Sequence, residues 1–460
     1  MMKKKLKGKG KMAYIEIPEK AEQILQTLHQ NGFEAYVVGG CVRDSILGRN
    51  PEDWDVTTSA SPVQVKALFA RTIDTGIAHG TVTVLLGKEA FEVTTYRIDG
   101  AYEDCRHPKE VIFTPNLEED LKRRDFTINA MAYSHETGLV DKFGGMEDLK
   151  NRKIRCVGNA RERFSEDALR MMRAVRFAAQ LGFSLEDDVR EAIREMADAL
   201  DQISAERIQV ELVKLLTSPN PHWFRLAYEC GITSVMMPEF DRIMVQRQNN
   251  SHHIYTTGVH TLVALENIPA DKVLRLTMLF HDMGKPEVCV TDENDKDHFK
   301  GHAVCSEKIA ERIMRNLKFD NDTMRKVCNL VRNHSWYPQL TGKDVRLCAY
   351  RIGPELFDLF LLVKRADIMA HHPDVVEQKL IYLKEVEHIW TDIRLHGDCL
   401  SLREMELGGK DLLADGMKPG PEVGKLLNLL LLEVLEYPER NKREYLLERS
   451  RELRIARNMK

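Results

Sequence analysis

Tyr36-Val37-Val38-Gly39-Gly40-Cys41-Val42-Arg43-Asp44, with Asp53-Trp54-Asp55-Val56 shortly after it, is the stretch on which the fold turns. The apolar run at its start reads as a strand, and the glycine pair stands where that strand becomes a helix. Gly39 and Gly40 let backbone N–H groups approach a triphosphate, and a helix start favours its negative charge. Arg43, one turn on, supplies a cation. Taken alone, the glycine pair is better read as a plain structural turn. In Asp53-Trp54-Asp55 the alternation of a strand puts both carboxylates on one face and Trp54 and Val56 on the other. Two converging carboxylates suit a hard, oxygen-ligated cation such as Mg²⁺. A strand with a solvated acidic face also accounts for them. Glu92, in Phe91-Glu92-Val93-Thr94, offers a third carboxylate from another strand-like run. Three can complete a two-metal site, in which one ion activates an attacking hydroxyl and the other steadies the leaving oxygens.

Outward from this stretch the chain alternates. Residues 21–29 have the spacing of an amphipathic helix, and 35–38, 54–57, 82–86 and 91–96 are β-rich. From about residue 159 the strands cease. Residues 168–181, 187–200 and 205–216 are helical by periodicity, and the remainder is helical between prolines. The expected fold class is α+β: an N-terminal nucleotide-handling α/β head on a long all-helical body. The domains read as a basic tail (1–12), a head (13–155), a helical neck (156–245), a second helical domain (246–376) and a helical tail (377–460).

A chain of 460 residues is too long for one core. With 43% hydrophobic and 30% charged residues the composition is that of a globular protein, which excludes a disordered chain. Net charge is −4, so a nucleic-acid partner has to be met by local basic patches. Nine cysteines, with no C-x-x-C pair, fit reduced thiols in a cytosol and not a disulfide framework or a zinc ribbon. Lys3, Lys4, Lys5, Lys7, Lys9 and Lys11 precede no apolar stretch, so they do not make a signal peptide. A solvated tail and a weak RNA-contacting arm both fit them. The most apolar run, 426–435, is interrupted by Asn428 and Glu433 and is too short to span a membrane. A cytoplasmic location without a membrane partner is expected. Residues 426–436 read equally as a buried or as an oligomerising helix, so the oligomeric state stays open.

Asp167, Arg170, Arg173 and Arg176 recur every three residues and would form one slowly drifting stripe on a helix. An exposed, salt-bridged face is one reading. Base selection is the other. An ionised Asp only accepts hydrogen bonds and Arg only donates them. Cytosine and adenine each present an exocyclic amine beside a ring-nitrogen acceptor, so one Asp and one Arg complement both. Uracil and guanine present the reverse order, and each mismatched pair discriminates by roughly 1–3 kcal/mol.

Gly-Gly-x-Val-Arg-Asp, then Asp-x-Asp, then Arg123-Arg124-Asp125-Phe126-Thr127-Ile128-Asn129-Ala130 resemble the class II CCA-adding enzymes and the related bacterial poly(A) polymerases, continuously through about residue 240. The resemblance implies a polymerase-β-like palm with Asp53 and Asp55 as catalytic, Mg²⁺-binding carboxylates. It implies nucleotide contacts from Gly40, Arg43 and Arg124. It makes Asp167 and Arg170 the protein template, with Arg173 and Arg176 as triphosphate or base-orienting contacts. The segment 97–108 corresponds to a flexible loop tied to the switch from C to A addition. The helix near Glu206, Arg207 and Glu211 is assigned a structural role. The activity this resemblance implies is template-independent CCA addition to tRNA from CTP and ATP. A poly(A) polymerase, or a partial (CC or A) adding enzyme, is the alternative on the same fold.

A second constellation lies in the body. His260, His281-Asp282, His302, His334 and Asp367 each stand at or near the end of an apolar helical stretch. Imidazoles with carboxylates suit transition metals; a helical domain with satisfied core histidines is the plainer reading. The order resembles an HD-superfamily phosphohydrolase domain over about 250–375. That resemblance makes His260, His281, Asp282 and Asp367 ligands of a divalent transition metal, with His302 and His334 completing a two-metal version and Lys285 near a phosphate. It admits a rival of another class, an HD phosphohydrolase with a nucleotide-sensing head. In the tail, 412–426 reads as helix, glycine-proline turn, helix, where Lys418 and Lys425 can meet an RNA phosphate; an ordinary helix cap accounts for it equally well.

Overall fold

The computed structural model describes residues 14–100, 111–250 and 253–457. The basic tail and most of the 97–108 segment therefore lie outside the described residues. The chain forms two compact units, Met1–Met236 and Met237–Lys460.

Unit 1 carries the head. Ala21, Ile24, Leu25 and Leu28 bury one stripe of the helix Glu19–Gln30, the i, i+3, i+4, i+7 spacing of an amphipathic helix. The strands are β1 (Ala35–Val38), β2 (Val56–Thr58), β3 (Thr72–Gly76), β4 (Thr81–Leu86), β5 (Glu89–Thr95), β6 (Arg97–Asp99), β7 (Val111–Phe113), β8 (Met131–Ser134) and β9 (Gly138–Asp141). Among the described residues, seven of them form one sheet in the order β3-β4-β5-β2-β1-β8-β9, while β6 and β7 pair separately. All four residues of β1 are buried, as a central strand covered on both faces requires.

The expected strand 54–57 is shorter than its pattern. The ladder opens at Val37↔Val56, and Asp53 and Asp55 precede the strand. The reason lies across the ladder: β1 ends at Val38, where Gly39 turns into the helix Gly40–Ile46, so the residues before Asp55 have no partner on that side. One bond, from the Val38 N–H to the Asp55 carbonyl at 3.0 Å, extends the register.

The helical part of unit 1 departs from expectation at more than one point, and a two-residue strand, Ser184–Leu185, pairs there in parallel with Lys153–Ile154, although the sequence pattern has strands cease at about residue 159. Asp167, expected on one helix with Arg170, Arg173 and Arg176, falls between two helices, Ala160–Glu166 and Leu169–Leu181. Asp167 lies in the break with extended backbone, φ −148° and ψ 102°. Its Oδ1 accepts the Leu169 N–H at 3.1 Å, the local competition with the helix that Asp side chains offer. The helix expected over 187–200 ends at Met196 and continues as a 3₁₀ turn, Ala197–Gln202, whereas Ala205–Leu216 keeps its expected bounds.

Among the described residues, unit 2 is helical but for one short two-stranded pair, Val290–Thr291 with Asp297–His298. Residues from Leu330 to Leu446 share one hydrophobic core, so the expected 376/377 boundary falls within a core, inside the helix Pro373–His396. In the helix Pro421–Glu436, Leu426, Leu430, Leu431, Val434 and Leu435 are buried in that core. The eight described cysteines are free thiols. Among the described residues, no helix is long and apolar enough to cross a membrane.

Candidate functional site

In unit 1 a cleft of about 710 Å³ is lined by Gly39, Gly40, Arg43, Asp53, Asp55, Arg124, Arg173 and Arg176, among others. Gly39 is there for two reasons. Its φ is +81°, and a Cβ on it would lie 3.1 Å from Arg124 Nη1. It spends its own N–H on the Met131 carbonyl at 3.1 Å, which leaves the approach to a phosphate to Gly40 and the residues after it.

Arg43 is buried and forked onto Asp44 (Nε–Oδ1 2.9 Å, Nη2–Oδ2 2.8 Å), with Nη1 donating to Asn129 Oδ1 at 2.6 Å. Arg124 leans on the fully buried Asp120, Nη2 to Oδ2 at 3.4 Å, and its Nε is buried without a partner among the described residues. Arg173 is forked onto Asp125 at 2.8 and 2.6 Å. Arg176 pairs with Glu211 and donates to Gln180 at 2.6 Å. The ring of Phe177 gathers three of these cations, with Arg43 at 5.0 Å, Arg173 at 5.4 Å and Arg176 at 3.8 Å. Burial opposes the charge on Asp125, but Arg173 and the Asn129 amide outweigh it and hold the carboxyl well below the usual range.

Asp53 and Asp55 both line the cleft. The parallel register Val56↔Val93 sets Glu92 on β5 beside Asp55. The Asp55 carboxyl is raised above its usual range, first by loss of surrounding water and then by the charges of Glu92 and Asp53, against the pull of Arg124. The residue as a whole remains exposed, so this crowding is local to its oxygens. A divalent cation would relieve it, and the donor set of carboxylate oxygens fits Mg²⁺. The three carboxylates do not close into a tight group: the sets whose ligand atoms lie within 4.8 Å of one another, among the described residues, are both in unit 2. Glu92 acts on Asp55 through charge.

Asp167 and Arg170 are not among the cleft-lining residues, whereas Arg173 and Arg176 are. Asp167 Oδ2 accepts from Arg207 Nη2 at 2.7 Å. Arg170 binds Glu166 at 2.5 Å and the carbonyls of Arg163 and Arg123, each at 3.1 Å. The break at Asp167 separates the two side chains that a continuous helix would have carried on one stripe.

In unit 2 the six predicted side chains converge. His260 Nε2 lies 3.0 Å from Asp367 Oδ1 and 3.3 Å from His281 Nε2. His281 Nε2 lies 3.2 Å from Asp282 Oδ2. Asp282 Oδ1 lies 3.4 Å from His302 Nε2 and 3.6 Å from His334 Nε2, which are 3.1 Å from each other. Two ligand sets result, His260–His281–Asp282 and Asp282–His302–His334, with Asp282 shared.

Backbone carbonyls decide what these rings can do. Nδ1 of His260, His281, His302 and His334 faces the carbonyls of Ala370, Met278, Phe299 and Val331 at 3.1, 2.7, 2.8 and 2.6 Å. A carbonyl only accepts, so Nδ1 carries the proton, and in each neutral ring a lone pair on Nε2 points inward. Four inward lone pairs around two buried carboxylates fit divalent transition metals. Asp282 Oδ1, buried without a hydrogen-bond donor among the described residues, is left as a ligand atom would be. Burial foremost, then the neighbouring His334 and Lys285, hold His302 down to about 4, although Asp282 pulls the other way. Lys285 is already engaged, with Asp282 Oδ2 and Gln248 Oε1 each at 2.7 Å.

Sequence reasoning passes over Asp120, Asp125, Arg207 and Glu211 as site residues, though Asp125 stands inside a quoted motif. The alternation of Arg and Asp in that motif is the available signal. Sequence reasoning also misses His253 and His371, whose rings lie 5.0 and 5.5 Å from that of His260. The four-residue step from Asp367 to His371 is the clue to the second.

Residues 35–155 match the Poly A polymerase head domain family, 182–244 the "Probable RNA and SrmB- binding site of polymerase A" family, and 301–449 a tRNA nucleotidyltransferase domain 2 family. The CCA-adding enzyme of Lactobacillus helveticus is 57% identical over 201 residues, a match that spans 44% of this chain and about half (50%) of that relative. The CCA-adding enzyme of Ligilactobacillus salivarius is 36% identical over 444 residues, 95% of this chain and 96% of the relative. Among solved structures, the Bacillus stearothermophilus CCA-adding enzyme in complex with CTP superposes with a TM-score of 0.69 at 30% identity, over 96% of this chain and all (100%) of that one.

Proposed function

Because the chain belongs to the CCA-adding enzyme family, on 36% identity across 95% of its length, we propose that it adds CCA to the 3′ end of tRNA from CTP and then ATP. The observation that carries this reading is the head cleft, where Gly40, Arg43 and Arg124 face Asp53 and Asp55. In the proposed reaction the tRNA 3′-hydroxyl attacks the α-phosphate and pyrophosphate departs. Asp53 and Asp55 would hold Mg²⁺, which when bound eases ionisation of the hydroxyl and offsets charge on the leaving oxygens. Arg124, Arg173 and Arg176 meet the triphosphate and stay in place because Asp120, Asp125 and Glu211 fix them. Asp167 and Arg170 select the base, and to do so they exchange Arg207 and Glu166 for the edge of cytosine or adenine. Their present partners keep both charged groups satisfied until a base arrives. Free thiols go with a reducing, cytoplasmic setting.

Extension of a tRNA transcript that lacks its last three nucleotides tests the reading. Long tails from ATP alone mean a poly(A) polymerase instead, and a stop after two additions means a CC-adding enzyme.

The inward Nε2 lone pairs of unit 2 favour a second activity, that of an HD-type metal phosphohydrolase. The proposed substrates are 2′,3′-cyclic phosphates or 2′-phosphates on damaged tRNA ends. Mn²⁺- or Ni²⁺-loaded protein that releases no phosphate from such ends removes this reading.

A further inference from the structure

Six histidines crowd the centre of unit 2, and they fall into two kinds by what holds Nδ1. In His260, His281, His302 and His334 a backbone carbonyl takes it. In His253 and His371 it is buried and meets no hydrogen-bond partner among the described residues. His371 is 8% exposed, and its ring lies 4.8 Å from that of His253. His371 Nε2 stands 3.9 Å from Asp367 Oδ1, beyond hydrogen-bond reach. Among the described residues no carbonyl therefore holds Nδ1 of either ring, and each can present an N–H from Nδ1 to a ligand. A buried polar nitrogen left without a partner is costly, and a ligand that accepts from it removes that cost.

The neighbours choose the ligand. On one side stand the ligand sets that fit divalent cations, with buried Lys285 against Asp282. On the other stand two imidazole donors. An oxygen that faces cations and N–H donors together has to be anionic, as phosphoryl oxygens are. Beyond His371 opens a cleft of about 760 Å³ whose walls include Ile254, Tyr255, Met369, Val376 and Leu380, which is room for a planar, largely apolar group. We infer that His253 and His371 form a phosphoryl-binding subsite on the substrate side of the cluster, and that it takes the phosphate of a nucleoside phosphate ester whose nucleoside lies in this cleft. The assignment rests on the phosphohydrolase reading of the same centre and adds to it the residues that hold the substrate.

The test uses the full chain loaded with Mn²⁺ and carrying Asp53→Asn and Asp55→Asn, so that ion and ligand counts report on unit 2. Calorimetry follows the binding of adenosine 2′-monophosphate and of inorganic phosphate. His371→Ala and His253→Ala are each expected to weaken both probes by roughly tenfold or more, as loss of a hydrogen bond to a charged group does. His371→Asn and His253→Asn, whose amide nitrogen falls near the place of Nδ1, are expected to keep most of the affinity, with Mn²⁺ stoichiometry unchanged throughout. Unchanged affinity in both Ala variants overturns the subsite. So does the loss of a Mn²⁺ ion with either histidine, which makes it a metal ligand, and so does failure of the Mn²⁺-loaded parent chain to bind either probe. An ester that binds through these histidines but is never hydrolysed leaves the subsite standing and removes the phosphohydrolase reading alone.

Discussion

Gly39 and Asp125 carry the head site in different ways. At Gly39 any side chain meets both a left-handed backbone and Arg124. Gly39→Ala is expected to cost about 1–2 kcal/mol of stability from its φ alone and to lower kcat/KM for CTP by at least about tenfold through displacement of Arg124. Thermal melts and single-nucleotide addition kinetics check the two effects separately. Asp125 exchanges solvent for Arg173 and Asn129, and its carboxyl is held well below the range of an unfolded Asp. A group of depressed folded pKa contributes stability above the unfolded value, about 3.9, and loses it as pH falls through and below that value. Asp125→Asn is therefore expected to be less stable than the parent at pH 7, with the gap narrowing as the pH is taken to about 3. Denaturant unfolding at both pH values reads this, and a gap that stays constant or widens on acidification contradicts it.

Elements are legible where local pattern and packing agree, and illegible where a distant partner decides. The β1 strand and the helix Ala205–Leu216 have the bounds their patterns dictate, because one is an unbroken apolar run and the other a clean amphipathic repeat. Asp53 and Asp55 alternate as a strand would, yet the strand begins at Val56; the limit comes from where β1 ends, which no local pattern near Asp53 records. The helix break at Asp167 has the same character. Its neighbours favour a helix, but the Asp side chain takes the Leu169 N–H and is met by Arg207 from the helix Ala205–Leu216. That helix, read as structural, thus also supplies the partner that the proposed base-selecting residue holds before a base arrives. Asp167→Ala is expected to admit UTP and GTP, with discrimination lowered by about 1–3 kcal/mol, while CTP addition persists. Arg207→Ala, which frees Asp167 without removing it, is expected to preserve selectivity. Misincorporation assays with single nucleotides read both, and unchanged selectivity in Asp167→Ala rules out its role as template.

Across the whole molecule, chemistry is more legible than domain limits. Six His and Asp residues spread from His260 to Asp367 lie close together, five of them in two groups that could hold a metal ion and Asp367 against His260, and residue type alone marks such side chains in a sequence. The core that runs from Leu330 to Leu446 across the expected 376/377 boundary has no such marker. The two units also differ in how a metal would matter. In unit 2 the candidate ligands are buried together, so chelation is expected to lower its melting temperature through lost binding energy, while unit 1, with open carboxylates at a cleft, is expected to melt as before. His260→Ala is expected to abolish the chelator effect in calorimetry, and a chelator that shifts neither transition contradicts a bound metal. A tRNA transcript lacking its terminal CCA, supplied with Mg²⁺ and each nucleotide singly or together, gives the direct measurement on a sequencing gel. Growth by two residues with CTP and by three with CTP plus ATP, with no product from UTP or GTP, is the predicted result. Long tails from ATP alone, or no extension at all, would contradict it.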